Sequence, residues 1–189
     1  VVPGGDREGW RQRNLRGMHL SCTDTALIAA IRSGGQSGAD RGALDAARAQ
    51  GVGTEGWCPA GGWAKDHSEP PGLLAGYPEL VETPSAEPAQ RTEWNVRDSD
   101  VTLVVAPSST NGVAASPGTE LTLELAGNYQ KPSLVIGEGG PDVIATVLDW
   151  LAGQGRGLTL NVAGPRESES PGVYRLAFAV ITTLLVRSR

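Results

Sequence analysis

From residue 26 onward, short apolar runs of strand length alternate with stretches whose apolar residues recur at helical spacing. The runs at 26–32, 53–57, 101–106, 133–137 and 157–162 predict strands, and the stretches at 40–50, 118–129, 141–152 and 172–186 predict helices. Val143, Val147 and Leu151, with Ile144 and Leu148 beside them, mark one face of a helix. In the last helix Val173, Ala177, Ile181 and Leu185 form one stripe, flanked by Leu176, Val180 and Leu184. Residues 101–106 are continuously apolar and β-branched, which suits a strand buried on both faces. A further helix is expected over 86–96, with Ser85 as its N-cap and Pro88 in its first turn. Residues 59–84, rich in Gly and Pro, read as an irregular excursion with a short strand near 80–82. Strands alternating with helices imply an α/β fold: a three-layer sandwich with a mostly parallel central sheet and helices on both faces.

The first 22 residues carry Gly, Arg and Gln without apolar period, and the chain opens on Val1. They are expected to be a disordered or non-native extension, leaving 23–189 as a single domain, the size that 189 residues allow. With 16 basic and 21 acidic residues the net charge is −5, which argues against a broad nucleic-acid footprint and leaves room only for a local basic pocket. Cys22 and Cys58 form no CxxC pair, so neither a disulfide framework nor a dedicated zinc site is expected, and a reducing cytoplasm fits best. The longest apolar run, 26–31, is far too short to span a bilayer.

In open α/β sheets ligands bind beyond the carboxyl ends of the strands, where helix N-termini also point. Three loops are expected to converge there. Gly34, Gly35, Gln36, Ser37 and Gly38 lead to Asp40 and Arg41 at a helix start, and glycines at such a turn let the backbone approach an oxyanion. The turn is neither a Walker A motif nor a full GxGxxG, and a plain strand-to-helix connection with Asp40 as a helix-end carboxylate is the competing reading. The second loop runs from 107 to 119 and ends in Pro117, Gly118 and Thr119, where Thr119 caps the helix or offers its hydroxyl and amide to a ligand. The third, NVAGPRESESPG, sets Gly164, Arg166, Ser168 and Ser170 between a strand and the final helix. A serine-rich loop with one arginine suits phosphate, and an arginine paired to Glu167 or Glu169 in solvent is the alternative.

In QRTEWNVRDSD, Arg91 and Asn95 share one helical face and Glu93 and Arg97 another; periodicity does not say which faces a ligand. Asp98 and Asp100 flank a turn and read as structural. GWCPAGGWAKDH offers Trp57, Cys58, Trp63, Lys65, Asp66 and His67 as a lid with aromatic surface; Cys58 reads as a buried thiol, and His67 alone makes no metal site.

Taken in order, GGQSGADRGALD, GWCPAGG, RTEWNVRDSD, PGTELT and LNVAGPRESESPG closely resemble the molybdenum cofactor carrier family over about residues 26–186. That family is Rossmann-like and related to the cytokinin-activating phosphoribohydrolases, a group also called lysine decarboxylase-like. The resemblance implies a homo-oligomer, a dimer or tetramer, that holds molybdenum cofactor, a pterin bearing a phosphate and a metal-binding dithiolene, or another nucleotide-like anion. It implies binding positions at Gly34, Gly35, Gln36, Ser37, Gly38, Gly118, Thr119, Gly164 and Arg166, to which Asp40, Arg91 and Ser168 are added from the loops above, with Trp57 or Trp63 over the pterin. Two departures stand out: Ser37 replaces the family's usual Thr, and Lys65 stands where an acidic residue is common.

The expected function is therefore a carrier that binds a small phosphate-bearing ligand without turnover, with neither nucleic acid nor membrane as partner. The alternatives are a nucleotide N-glycosidase and a sensor of a nucleotide-derived signal. The glycosidase motif places its carboxylate where this chain has Thr122, so hydrolysis would have to draw on Glu93 or Asp40.

Overall fold

The computed structural model describes residues 26–107 and 116–189; the expectations for 1–22 and for the loop at 108–115 lie outside them. Five parallel strands form the main sheet: β1 (Ile28–Arg32), β2 (Gly53–Glu55), β5 (Val101–Val105), β6 (Ser133–Ile136) and β7 (Leu158–Ala163), in the order β2-β1-β7-β5-β6. Two more strands, β3 (Trp57–Cys58) and β4 (Val81–Glu82), make a separate two-stranded parallel sheet.

Among the described residues five helices cover the main sheet: α1 (Ala39–Ala49), α2 (Pro88–Arg97), α3 (Pro117–Asn128), α4 (Pro141–Gln154) and α5 (Val173–Arg187). Helices α1, α4 and α5 share one hydrophobic core with Ile31, Leu103, Leu160 and Val162 of the sheet. Helix α1 lies so close to α5 that a Cβ on Gly42 would collide with the Tyr174 carbonyl. On β5, Val101, Leu103 and Val105 belong to that core, so the pleat turns Thr102 and Val104 to the other face, where α2 and α3 pack on each other. All five residues of β5 are buried, as a strand covered on both sides requires. A smaller cluster of Leu44, Cys58, Ala64, Leu73 and Leu80 holds the 59–84 excursion to the body of the protein.

Two local expectations need correction. The run at 53–57 is two strands and not one: Gly56 divides it, because its backbone passes so near the Ser33 carbonyl that a Cβ would collide with it. The chain therefore leaves the main sheet there and starts the small one. Nor does Ser85 cap α2. The helix begins at Pro88 with Glu87 at the N-cap position, and Ser85 instead accepts the Glu87 amide (3.0 Å) in a turn before it.

The strand order decides where a ligand can sit. The chain crosses outward from β1 to β2 on one side and from β5 to β6 on the other, with β7 between β1 and β5. The carboxyl ends of β1, β7 and β5 thus border the crevice where the winding reverses.

Candidate functional site

A cavity of about 160 Å³ opens at that crevice. Its walls come from remote parts of the chain: Gln36 and Asp40 after β1, Arg91 on α2, Gly118 and Thr122 on α3, and Gly164 and Arg166 after β7.

The β1 turn ties its backbone to the start of α1. The Gln36 amide donates to Asp40 Oδ2 (3.3 Å), and the Gly35 carbonyl accepts from Arg41 Nε (3.0 Å). Gly34 is needed for another reason: a Cβ there would collide with Arg91 Nη1 and lie 2.8 Å from Arg91 Cζ. The guanidinium lies across this bare backbone and reaches Asp40 Oδ2 at 3.3 Å. Arg91 Nε, buried, has no partner among the described residues. Burial pushes the Asp40 carboxyl above the ordinary carboxylate range, against the opposing pull of Arg91.

The β7 loop is fixed by its own carboxylates. Glu169 accepts the Arg166 amide (2.9 Å) and lies 3.6 Å from the Arg166 guanidinium, a loose pair that leaves the arginine free to engage a ligand. Glu167 accepts the Gly172 and Tyr174 amides (2.6 and 2.9 Å) and so caps α5. The backbone at Gly164 runs against β5, where a Cβ would meet the Val105 carbonyl and would lie 2.7 Å from Ala39 Cβ. The third wall is the start of α3. Pro117 and Gly118 open the helix there, and the Ser116 side chain at the N-cap position makes no capping hydrogen bond among the described residues.

The residues singled out in the sequence fall into four groups. Gln36, Asp40, Arg91, Gly118, Gly164 and Arg166 line the cavity together. Gly34 and Gly35 lie behind it, one under Arg91 and the other against Leu73 and Leu80. Ser37 and Gly38 line a second, more open depression with Arg41, Glu167, Tyr174 and Arg175. Gly38 ends there because α1 is sealed by the β7 loop: the Ala39 amide donates to the Pro165 carbonyl (3.3 Å). Thr119 is buried, with its hydroxyl 3.1 Å from that of Ser116, and Ser168 is exposed outside both openings.

On α2 the choice between faces is resolved. Arg91 faces the cavity, while Asn95 pairs with the Trp57 backbone, accepting its amide (2.8 Å) and donating to its carbonyl (3.0 Å). Glu93 accepts from Tyr129 (2.7 Å) and Arg97 pairs with Asp98, so these two do not pair with each other. Asp98 also accepts from Trp57 Nε1 (2.8 Å), and Asp100 accepts the Thr159 amide (2.7 Å). Neither Trp57 nor Trp63 is among the lining residues. Trp57 packs edge-on against Trp94, with ring centroids 4.8 Å apart. Cys58 is fully buried, and desolvation, with Glu82 nearby, pushes its thiol up to about 11. Among the described residues no cluster of three His, Cys, Asp or Glu is placed to hold a metal, and no helix is long and apolar enough to cross a membrane.

What the sequence reading missed is the anchoring of the excursion. Gln36 Nε2 donates to the Trp63 carbonyl (3.1 Å), and Arg41 grips Asp66 through both guanidinium ends, one at 2.7 Å. Asp66 is held at about 2 by that pairing. The opposite charges of Arg41 and Asp66 were visible in the sequence; their proximity across 25 residues was not.

A sequence model of the circularly permutated YpsA SLOG family matches residues 31–185. The crystal structure of a protein named Putative molybdenum carrier protein, from Syntrophus aciditrophicus SB, superimposes with a TM-score of 0.75. The two chains are 32% identical, and the match covers 85% of this one and 97% of that one. No functionally curated protein matches the chain significantly.

Proposed function

The chain belongs to the circularly permutated YpsA SLOG family, and from that premise we propose that it is a carrier that binds molybdenum cofactor, or a similar phosphate-bearing anion, without chemical turnover. One observation carries the reading: Arg91, Arg166 and the opening turn of α3, remote in sequence, line one cavity. Guanidinium groups bind phosphate oxygens through charge-assisted hydrogen bonds, and a helix N-terminus favours the same charge. The buried, unpartnered Arg91 Nε is a donor of the kind a phosphate oxygen satisfies. A volume of about 160 Å³ suits a phosphate end and leaves a pterin outside, over the rim. Arg91 and Arg166 would therefore hold the cofactor's phosphate, while its dithiolene and metal stay clear of the cavity.

The competing reading, hydrolysis of a nucleotide N-glycosidic bond, draws support from Asp40, whose buried carboxyl favours the protonated form and lines the same cavity. The glycosidase carboxylate position is taken by Thr122, whose hydroxyl donates to the Gly118 carbonyl (2.8 Å), and Glu93 is engaged by Tyr129. A sensor of a nucleotide-derived signal would use the same pocket. As part of the proposal the carrier is a cytoplasmic dimer or tetramer, which light scattering checks.

Titration of the purified protein with molybdenum cofactor, alongside incubation with nucleoside monophosphates, separates these readings. Saturable cofactor binding that weakens by about tenfold to hundredfold in Arg166→Ala is the expected result. Release of free base at an enzymatic rate overturns the carrier in favour of the hydrolase.

A further inference from the structure

The cavity wall holds a buried acceptor that anion binding does not use. Gln36 is 3% exposed, and its Oε1 has no hydrogen-bond partner among the described residues. The opposite end of the amide is committed, since Nε2 donates to the Trp63 carbonyl at 3.1 Å. Turning the amide over would set two carbonyl oxygens against each other, so that bond fixes Oε1 as the unpaired polar end of a side chain lining the cavity. Buried acceptors are nearly always paired, and one left open beside a cavity calls for a donor from whatever fills it.

Gln36 and Arg91 line the same cavity. Asp40 Oδ2 accepts from both the Gln36 backbone N–H and Arg91 Nη1, each at 3.3 Å, which sets the two residues around one carboxyl group. Arg91 Nε supplies a donor without a partner, and Gln36 Oε1 supplies the acceptor. An occupant that satisfies both brings a negative oxygen and an O–H in one small group.

Building on the anion-site reading above, we infer that Gln36 is a specificity-determining residue that makes this cavity select a proton-bearing phosphate over fully deprotonated tetrahedral oxyanions. Inorganic phosphate and phosphomonoesters carry an O–H in their protonated forms. Sulfate and molybdate carry none at neutral pH. The cargo is then recognised through its phosphate, and free molybdate is rejected at the same pocket. A site built to pair a ligand hydroxyl discriminates strongly against an analogue without one, because its own buried group is left unpaired.

The test uses three probes, inorganic phosphate, sulfate and molybdate, titrated calorimetrically into the full chain at pH 6.5. The unmutated protein is expected to bind phosphate at least about tenfold more tightly than sulfate or molybdate. Gln36→Met is expected to weaken phosphate to within about threefold of sulfate while leaving sulfate unchanged. Gln36→Glu, which keeps the acceptor and adds charge, is expected to weaken sulfate and molybdate more than phosphate. Equal affinity of the unmutated protein for all three anions overturns the inference and leaves the anion site standing, as does a uniform loss across all three in Gln36→Met. Failure of all three to bind overturns both.

Discussion

Replacing Gly34 by alanine separates ligand binding from folding. The added Cβ would collide with Arg91 Nη1 and would lie 2.8 Å from Cζ and 3.1 Å from Cδ, so the Arg91 side chain must leave its place across the turn. It is a flexible chain lining a cavity and can shift where backbone cannot. Gly34 is not among the positive-φ glycines, so alanine is unstrained there, and the lower entropy of the unfolded chain favours the variant by about 0.4–1 kcal/mol. Against that stands the loss of the Arg91–Asp40 contact, which at 3.3 Å is long, and Asp40 already favours taking up a proton. The net change in stability should stay within about 2 kcal/mol, a Tm shift of at most roughly 8 °C for a chain of this length. Binding should suffer more. Loss of a guanidinium-to-phosphate hydrogen bond costs about 1.5–3 kcal/mol, a drop of about tenfold to hundredfold in affinity. Gly38→Ala is the control: its φ is +92°, and a Cβ would lie 2.6 Å from the Pro165 carbonyl oxygen and the Glu167 amide nitrogen. Backbone on both sides cannot swing aside, so this variant should lose well over about 2 kcal/mol of stability. Calorimetric titration with phosphate and thermal melts of both variants check the contrast. A Gly34→Ala protein that binds phosphate like the parent would refute the role given to Arg91.

Three further outcomes are expected. Asp66 has its pKa lowered to about 2 in the folded protein, below its unfolded value, so the Arg41–Asp66 pair contributes stability above about pH 4 and loses it as pH falls toward 2. Asp66 is half exposed, which limits the pair to about 1 kcal/mol at pH 7, read as a stability gap between parent and Asp66→Asn that closes on acidification. Asp40 behaves in the opposite sense: its raised pKa penalises the folded parent once pH exceeds the unfolded carboxylate value, so the stability of Asp40→Asn relative to the parent should rise with pH, and a gap that shrinks with pH would show that Arg91 outweighs burial. The Cys58 peptide should stay unlabelled by a thiol reagent under native conditions and become labelled in denaturant, as mass spectrometry of the digest will report.

The order of strands and helices was legible because each element carries its own period. The stripes of α4 and α5 and the unbroken run of β5 are buried against neighbours that demand that spacing. Element ends were less legible. Gly56 breaks a strand only because Ser33 passes beside it, and Ser85 loses the N-cap to a turn built by its own hydroxyl. In the site, the carboxyl ends of a parallel sheet told which loops to compare, and Gln36, Asp40, Gly118, Gly164 and Arg166 do meet there. Which side of a loop each residue takes depends on packing that no local pattern encodes. Gly38 and Ser37 turn away because the Pro165 carbonyl closes the start of α1, and Thr119 turns inward because α3 presents its small residues to the interior. The Gly34 turn, read in the sequence as a place where backbone approaches an anion, also makes room for Arg91.

The most direct measurement of the central claim, that three remote segments grip one negatively charged group, is a crystal structure of the protein grown with inorganic phosphate. A tetrahedral anion is expected within hydrogen-bond distance of both Arg91 and Arg166, at the opening turn of α3. An anion found instead among Arg41, Tyr174 and Arg175, with the crevice at β7 filled only by water, would contradict that claim.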